Sequence, residues 1–344
     1  MRQLTPMYSV LAVLGGLSTA IAASSAAAQQ APPRLTSFLT RRIGLDDAQL
    51  AAVERGEIVV KSLGTDNPRD VAVFGVVTLP SAREADAARL RDFRTSLRAP
   101  TRQRFGLFGA SPAASDLEGL TIDRKEADDL KKCKPGSCDF KLPATEMQAL
   151  RSRIDWSSAP EAQIAAYARK RLAEYVADYR ARGDSAMVIY DDNGNVRASS
   201  AFAALVAQSP YVYEYAPSLA AYMTAYPRMK SGDMQEAIYW SEDVAPRLRK
   251  VHSVNHVVLY SPAELGRVTL MATKQIYADH YFEAAFDLTT LVDRAAGGSY
   301  LVVLRRYRFD NLPSGGLLNI RGRVVGSLRE QLRSDLERHR AAAR

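Results

Sequence analysis

Residues 251–344 constrain the fold most. VHSVNHVVLY, RVTLMATKQIY, HYFEAAFDLTTLV and YLVVLRRYRFD each alternate β-branched and aromatic residues with polar ones. SPAELG and AAGGS, between them, carry the Gly and Pro of turns. Together they read as an antiparallel meander. After NLPSGG the period changes. Leu317, Val324, Leu328, Leu332 and Leu336 fall at helical spacing and form one apolar stripe along LLNIRGRVVGSLREQLRSDLERHR. The expected fold class is therefore α+β: a curved antiparallel sheet wrapping a long C-terminal helix, with a cavity between them.

The N-terminal end is of another kind. Arg2 gives a short positive start, the stretch after it is nearly uncharged and apolar, and Ala26, Ala27 and Ala28 supply a small-residue cleavage pattern. Residues 1–28 are thus expected to be a signal peptide, and the mature chain to be exported, periplasmic or secreted. Gly15, Gly16, Ser18 and Thr19 interrupt the apolar run and argue against a retained anchor. Export changes the meaning of the +8 formal charge. An exported basic protein meets anionic lipid, cell wall or acidic metabolites, so nucleic acid is not an expected partner and contact with a membrane surface is.

The chain has two cysteines, Cys133 and Cys138, in KKCKPGSCDF. Pro135 presets the first central angle of a β-turn and Gly136 takes the positive φ of the second. That turn folds the sulfurs toward each other in an oxidising compartment, and a structural disulfide is expected.

Residues 29–143 form the N-terminal part of the α+β domain. A helical stretch closes at Gly56, EIVVKSL and DVAVFGVVTL are strands, and Ser81 with Glu84 makes a capping-box pattern before ADAARLRDFRTSL. RQRFGLFGASPAAS reads as a surface loop or flap, and CDFKL as a brief strand. Residues 144–250 form a helix-rich insertion. In it, AQIAAYARKRLAEYVADYRARG places Ile164, Tyr167, Ala168, Leu172, Tyr175, Val176 and Tyr179 on one face. MVIYDDNGNVR is a hairpin, and its Asp191, Asp192, Asn193 and Asn195 have the glycine in the wrong place for a calcium loop. A tyrosine-rich stretch follows, broken by Pro210 and Pro217.

The order of elements resembles the helix-grip arrangement of the START and Bet v 1-like superfamily: GEIVV and a strand ending at Pro80, a helix, a meander and a C-terminal helix. The resemblance covers about residues 56–97 and 251–344, and the helix-rich middle departs from it. It implies a sheet gripping the C-terminal helix with an apolar tunnel between, and activities that range from lipid carriage to a few cyclase and hydrolase chemistries.

No nucleotide, zinc-protease, serine-hydrolase or haem motif is present, and no cofactor is expected. His252 and His256 are four apart on one strand, roughly 13 Å, too far to share an ion. Candidate ligand-binding residues are polar exceptions on apolar faces and the aromatics beside them. If TKQIYADHYFEAAFDL stays extended, His280 shares a face with Phe282 and Phe286, and Asp279 and Glu283 point away. Arg321 falls inside the stripe of the last helix, and Arg306 alternates with Tyr300, Val302 and Leu304. A guanidinium in such a place needs an anion from the protein or a ligand. The leading reading is an exported binding or carrier protein for a hydrophobic or anionic amphiphilic small molecule held between sheet and C-terminal helix. Two others stand beside it: an envelope interaction or structural protein, and an unrecognised enzyme using His280.

Overall fold

The computed structural model describes residues 32–229, 233–244, 248–262, 265–313 and 319–344. The expected signal peptide and Leu317 lie outside them. Two short helices, α1 (Pro33–Ser37) and α2 (Asp47–Glu54), precede strands β1 (Val59–Leu63) and β2 (Asp70–Leu79). Then come α3 (Arg83–Arg91), α4 (Phe93–Ser96) and β3 (Arg102–Leu107). The helical middle holds α5 (Arg124–Lys132), α6 (Ala144–Arg153), α7 (Pro160–Arg182), the hairpin β4 (Ile189–Tyr190) and β5 (Val196–Arg197), α8 (Ala198–Ala207), α9 (Pro210–Tyr215) and α10 (Pro217–Ala225). The meander comprises β6 (Met234–Asp243), β7 (Val251–Tyr260), β8 (Val268–Ala278), β9 (Phe282–Asp293) and β10 (Ser299–Phe309), and α11 (Ile320–Ala342) ends the chain.

The main sheet has eight strands in the order β1-β2-β10-β9-β8-β7-β6-β3, all neighbours antiparallel. The meander supplies the centre, β2 docks on its last strand, and β3 closes the far edge against β6. The helical middle is therefore inserted between two strands that flank it, and the sheet is complete without it. With a long C-terminal helix on one face, this is the helix-grip arrangement the element order predicts.

Alternation decides which layer each face meets. On β2, Val71, Val73 and Val77 join Leu90, Phe93, Leu332 and Leu336 in one core, under α3, α4 and α11. Phe74 and Val76 point the other way and pack with Leu39, Ile43 and Val53 of the N-terminal segment. Farther along that second face, Val254, Val258, Ile276 and Phe286 meet Val176, Tyr179, Phe202 and Leu219 of the insertion. Helices thus cover both faces. At Gly75 a Cβ would come within 2.7 Å of Leu336 Cδ1. The missing side chain is what lets α11 lie close on β2. Of the predicted stripe, Leu332 and Leu336 are fully buried, while Val324 and Leu328 are half-buried. No helix among the described residues is long and apolar enough to cross a membrane.

Three local expectations are corrected. RQRFGL is not a flap but the edge strand β3, because its backbone finds hydrogen-bond partners on β6. CDFKL forms no strand: Lys141 N donates to Asp279 O at 2.7 Å, with no ladder continuing from it. Ser81 does not cap α3. Its hydroxyl donates to the Asp86 carboxylate at 2.8 and 2.9 Å instead.

Candidate functional site

An apolar cavity of about 490 Å³ lies in the insertion layer, between α5, α6, α7 and the segment entering β4. Its floor is one end of β7 and β8, where His252, Tyr277 and Asp279 reach it. The walls are mostly aliphatic: Leu130, Leu150, Ile164, Leu172, Val188 and Ile189 among them. The first half of the α7 stripe, Ile164 to Tyr175, lines this space, while Val176 and Tyr179 continue into the sheet core. Disulfide-linked Cys133 and Cys138 (Sγ–Sγ 2.00 Å) flank the turn that leads to Phe140, a wall residue. Gly136 takes φ +77° in that turn, as Pro-Gly predicts. Asp191, the first acidic residue of the hairpin, accepts from Ala144 N at 2.8 Å and from Asn195 Nδ2 at 2.8 Å. It thereby caps the N-terminus of α6.

Beneath the cavity sits a buried charge cluster. His252 Nδ1 is 2.7 Å from Asp279 Oδ2, and its Nε2 is 3.2 Å from Glu242 Oε2. Asp279 Oδ1 also accepts from His252 N at 2.9 Å and lies 2.9 Å from His280 Nδ1. Burial alone would lower the His252 pKa. The Asp279 carboxylate outweighs burial and, with Glu242, raises it to about 10. Burial would likewise raise Asp279, but His252 and His280 hold it well below the usual carboxylate range. The hydrogen bond from His252 keeps Glu242 low as well. An imidazolium with both N–H groups committed to carboxylates has no site left to accept a proton. The cluster holds charge in place; it does not shuttle it.

That pairing has a pH signature. The folded pKa of His252 lies above its unfolded value, so its stabilisation is complete below about pH 6.5 and is lost as pH rises through about 10. The folded pKa of Asp279 lies below its unfolded value, so the same contacts persist above about pH 4 and weaken below it. In urea unfolding, the stability gap between wild type and His252→Gln should be widest between about pH 4 and 6.5 and narrow toward pH 10. A gap constant across that upper range would contradict the assignment.

Asp279 faces His280 because the chain does not stay extended there. Asp279, His280 and Tyr281 form the tight turn from β8 to β9, with Tyr281 at φ +61° and Phe282 N donating to His280 O at 2.7 Å. The expectation that Asp279 points away from His280 is corrected for this reason. Glu283 pairs with Arg69 at 2.5 Å. His280 is buried against the Phe140 ring, with centroids 4.4 Å apart, and its Nε2 has no hydrogen-bond partner among the described residues.

The other sequence candidates are dispersed. Phe286 packs on Phe202 of the insertion, centroids 6.0 Å apart, while Phe282 lies on the opposite face, 5.0 Å from Phe309. A register shift at Arg308 and Phe309 separates them. Arg306 is buried under α8, where Nη2 donates to Gln208 O at 2.9 Å, and its Nε and Nη1 find no partner among the described residues. That carbonyl is at the helix C-terminus, whose partial negative charge favours a cation. Arg321 donates to Pro68 O, Thr65 Oγ1 and Asp70 O at 3.1, 3.2 and 3.1 Å, pinning the turn between β1 and β2. None of His280, Phe282, Phe286, Arg306 or Arg321 lines the cavity.

His252 and His256 lie in separate clusters. His256 Nδ1 is 3.1 Å from Tyr179 Oη and its Nε2 3.4 Å from Glu236. Lys274, fully buried nearby, pairs with Asp184 and sits 4.5 Å from the Phe202 ring centroid. Burial lowers the pKa of both. These groups tie the insertion to the sheet.

No family model matches this chain, and no curated protein does. Among solved structures it is similar to the Zhui aromatase/cyclase from Streptomyces sp. R1128. The identity is 15%, the match covers 38% of this chain and 78% of that one, and the TM-score is 0.20. A likeness at that level carries no argument, and the fold rests on the strand order itself.

Proposed function

We propose that the protein binds a small hydrophobic molecule in the cavity under the insertion, and that it does so as an exported protein. One observation carries the binding reading: a largely aliphatic space of about 490 Å³, with a minority of polar groups, Glu146 and Arg171 on its helices and His252 and Asp279 on its floor, set among the apolar ones. Binding sites for small molecules typically span about 300–1,000 Å³ and have this mixture of lining. A core without a ligand would instead be expected to close around such a space, since interiors pack to near-crystalline density.

The test is a titration with Nile red, an uncharged dye sensitive to polarity, and displacement by hydrophobic competitors. Ala168 is on the cavity wall. Ala168→Trp fills the space and should weaken the dye by more than about tenfold, or 1.4 kcal/mol, while the protein stays folded. Equal binding by both proteins would remove the cavity from the account. Export is supported by the N-terminal pattern of residues 1–28 and is compatible with the Cys133–Cys138 disulfide. The intact mass of the exported product should correspond to a start near Gln29; a full-length product confined to the cytosol would sink this part.

His280 gives the enzyme reading its best support, since an Asp–His pair whose Nε2 is bonded by no described residue is the arrangement of a general base. That nitrogen is buried behind Phe140. The binding reading therefore takes precedence.

A further inference from the structure

We infer that the ligand is uncharged, an apolar body bearing a hydroxyl or carbonyl, and that Tyr277 is the residue that reads this group. The inference rests on the cavity being the binding site. It follows from what the charged side chains around the cavity are already doing. Glu146 accepts from Tyr167 Oη at 2.6 Å and from Arg171 Nε and Nη2 at 3.0 and 2.7 Å. Arg171 also pairs with Glu174. Asp191 caps α6 and holds Asn195, and His252 is locked between Asp279 and Glu242. Every charged group lining the cavity thus has its counter-charge or its donors within the protein.

A carboxylate entering this space would meet no free cation among the described residues and would lie near three carboxylates, Glu146, Asp191 and Asp279. An ammonium would have to compete with His252 or Arg171 for carboxylates they already occupy. Either ion would lose its hydration without replacement, which is costly. Tyr277 differs from its neighbours. Tyr167 and Tyr175 spend their hydroxyls on Glu146 and on Ile276 O. The Tyr277 ring lines the cavity between Tyr175 and Tyr190, at 6.2 and 6.3 Å, and no described residue hydrogen-bonds its hydroxyl. Tyr277 therefore offers both a donor and an acceptor to one neutral polar group.

Wild type, Tyr277→Phe and Ala168→Trp would be titrated at about pH 7 with para-butylbenzyl alcohol, para-butylbenzoate, para-butylbenzylammonium and butylbenzene. At that pH the acid and the amine are both ionised. Wild type should bind the alcohol at least about tenfold more tightly than either ion. Tyr277→Phe should weaken the alcohol by about three- to tenfold, the loss of one neutral hydrogen bond, and leave butylbenzene unchanged. Benzoate or ammonium binding as tightly as the alcohol would overturn the uncharged-ligand inference and leave the cavity reading standing. An unchanged alcohol-to-butylbenzene ratio in Tyr277→Phe would overturn the role of Tyr277. If none of the four binds wild type, or Ala168→Trp binds them all equally well, the cavity reading itself falls.

Discussion

Asp279→Ala should destabilise the protein by about 3–5 kcal/mol, the range found when one partner is removed from a buried ion pair. Asp279 links His252 to His280, and it accepts the His252 backbone N–H as well. Without it the imidazolium of His252 keeps Glu242, but its Nδ1–H is left buried and unsatisfied, and His280 loses its hydrogen bond. The loss would show as a lower urea midpoint with an unchanged slope. Asp279→Asn retains an acceptor and should fall between wild type and alanine. A change below about 1 kcal/mol in the alanine variant would mean that water replaces the carboxylate and that solvent reaches the cluster.

Asp70→Ala should have a comparable effect at the other end of the insertion, again about 3–5 kcal/mol by the same reasoning. Asp70 is fully buried and takes Arg308 in a two-pronged pair, Nε to Oδ1 at 2.7 Å and Nη2 to Oδ2 at 2.8 Å. Gln208 Nε2 donates to the same carboxylate, and the Gln208 carbonyl receives Arg306. Removing Asp70 would leave Arg308 without its paired carboxylate on the strand that already carries the incompletely satisfied Arg306. Thermal unfolding in the presence of reducing agent and in its absence would keep the disulfide from masking the loss. An Asp70→Ala protein as stable as wild type would show that the guanidinium finds a substitute anion or water.

The meander and the last helix were legible because their signals are local. Alternation along β7 to β10 and the leucine stripe of α11 follow from burying one face of each element. The edge strand β3 was not legible, since Arg102, Gln103 and Arg104 read as loop and its pairing is supplied by a strand far away in sequence. At His280 alternation fails for a different reason. Period-two alternation puts neighbours on opposite faces only while the chain is extended, and a positive φ at Tyr281 ends that condition. The cavity shows the deeper limit. The α7 stripe could be seen in the sequence, but a stripe says which side chains leave water, not whether their neighbours fill the space. That depends on how α5, α6 and the β4 segment pack, and none of them carries a motif that says so.

Methyl-selective NMR shows directly where a hydrophobic ligand goes. Ile164, Leu172 and Met187 report on the cavity, and Leu332 and Leu336 on the contact between the sheet and α11. Titration with an uncharged ligand such as para-butylbenzyl alcohol should shift the first set in a saturable way and leave the second unmoved. Saturable shifts confined to Leu332 and Leu336 would contradict the cavity reading, and would return the binding site to the space between sheet and C-terminal helix.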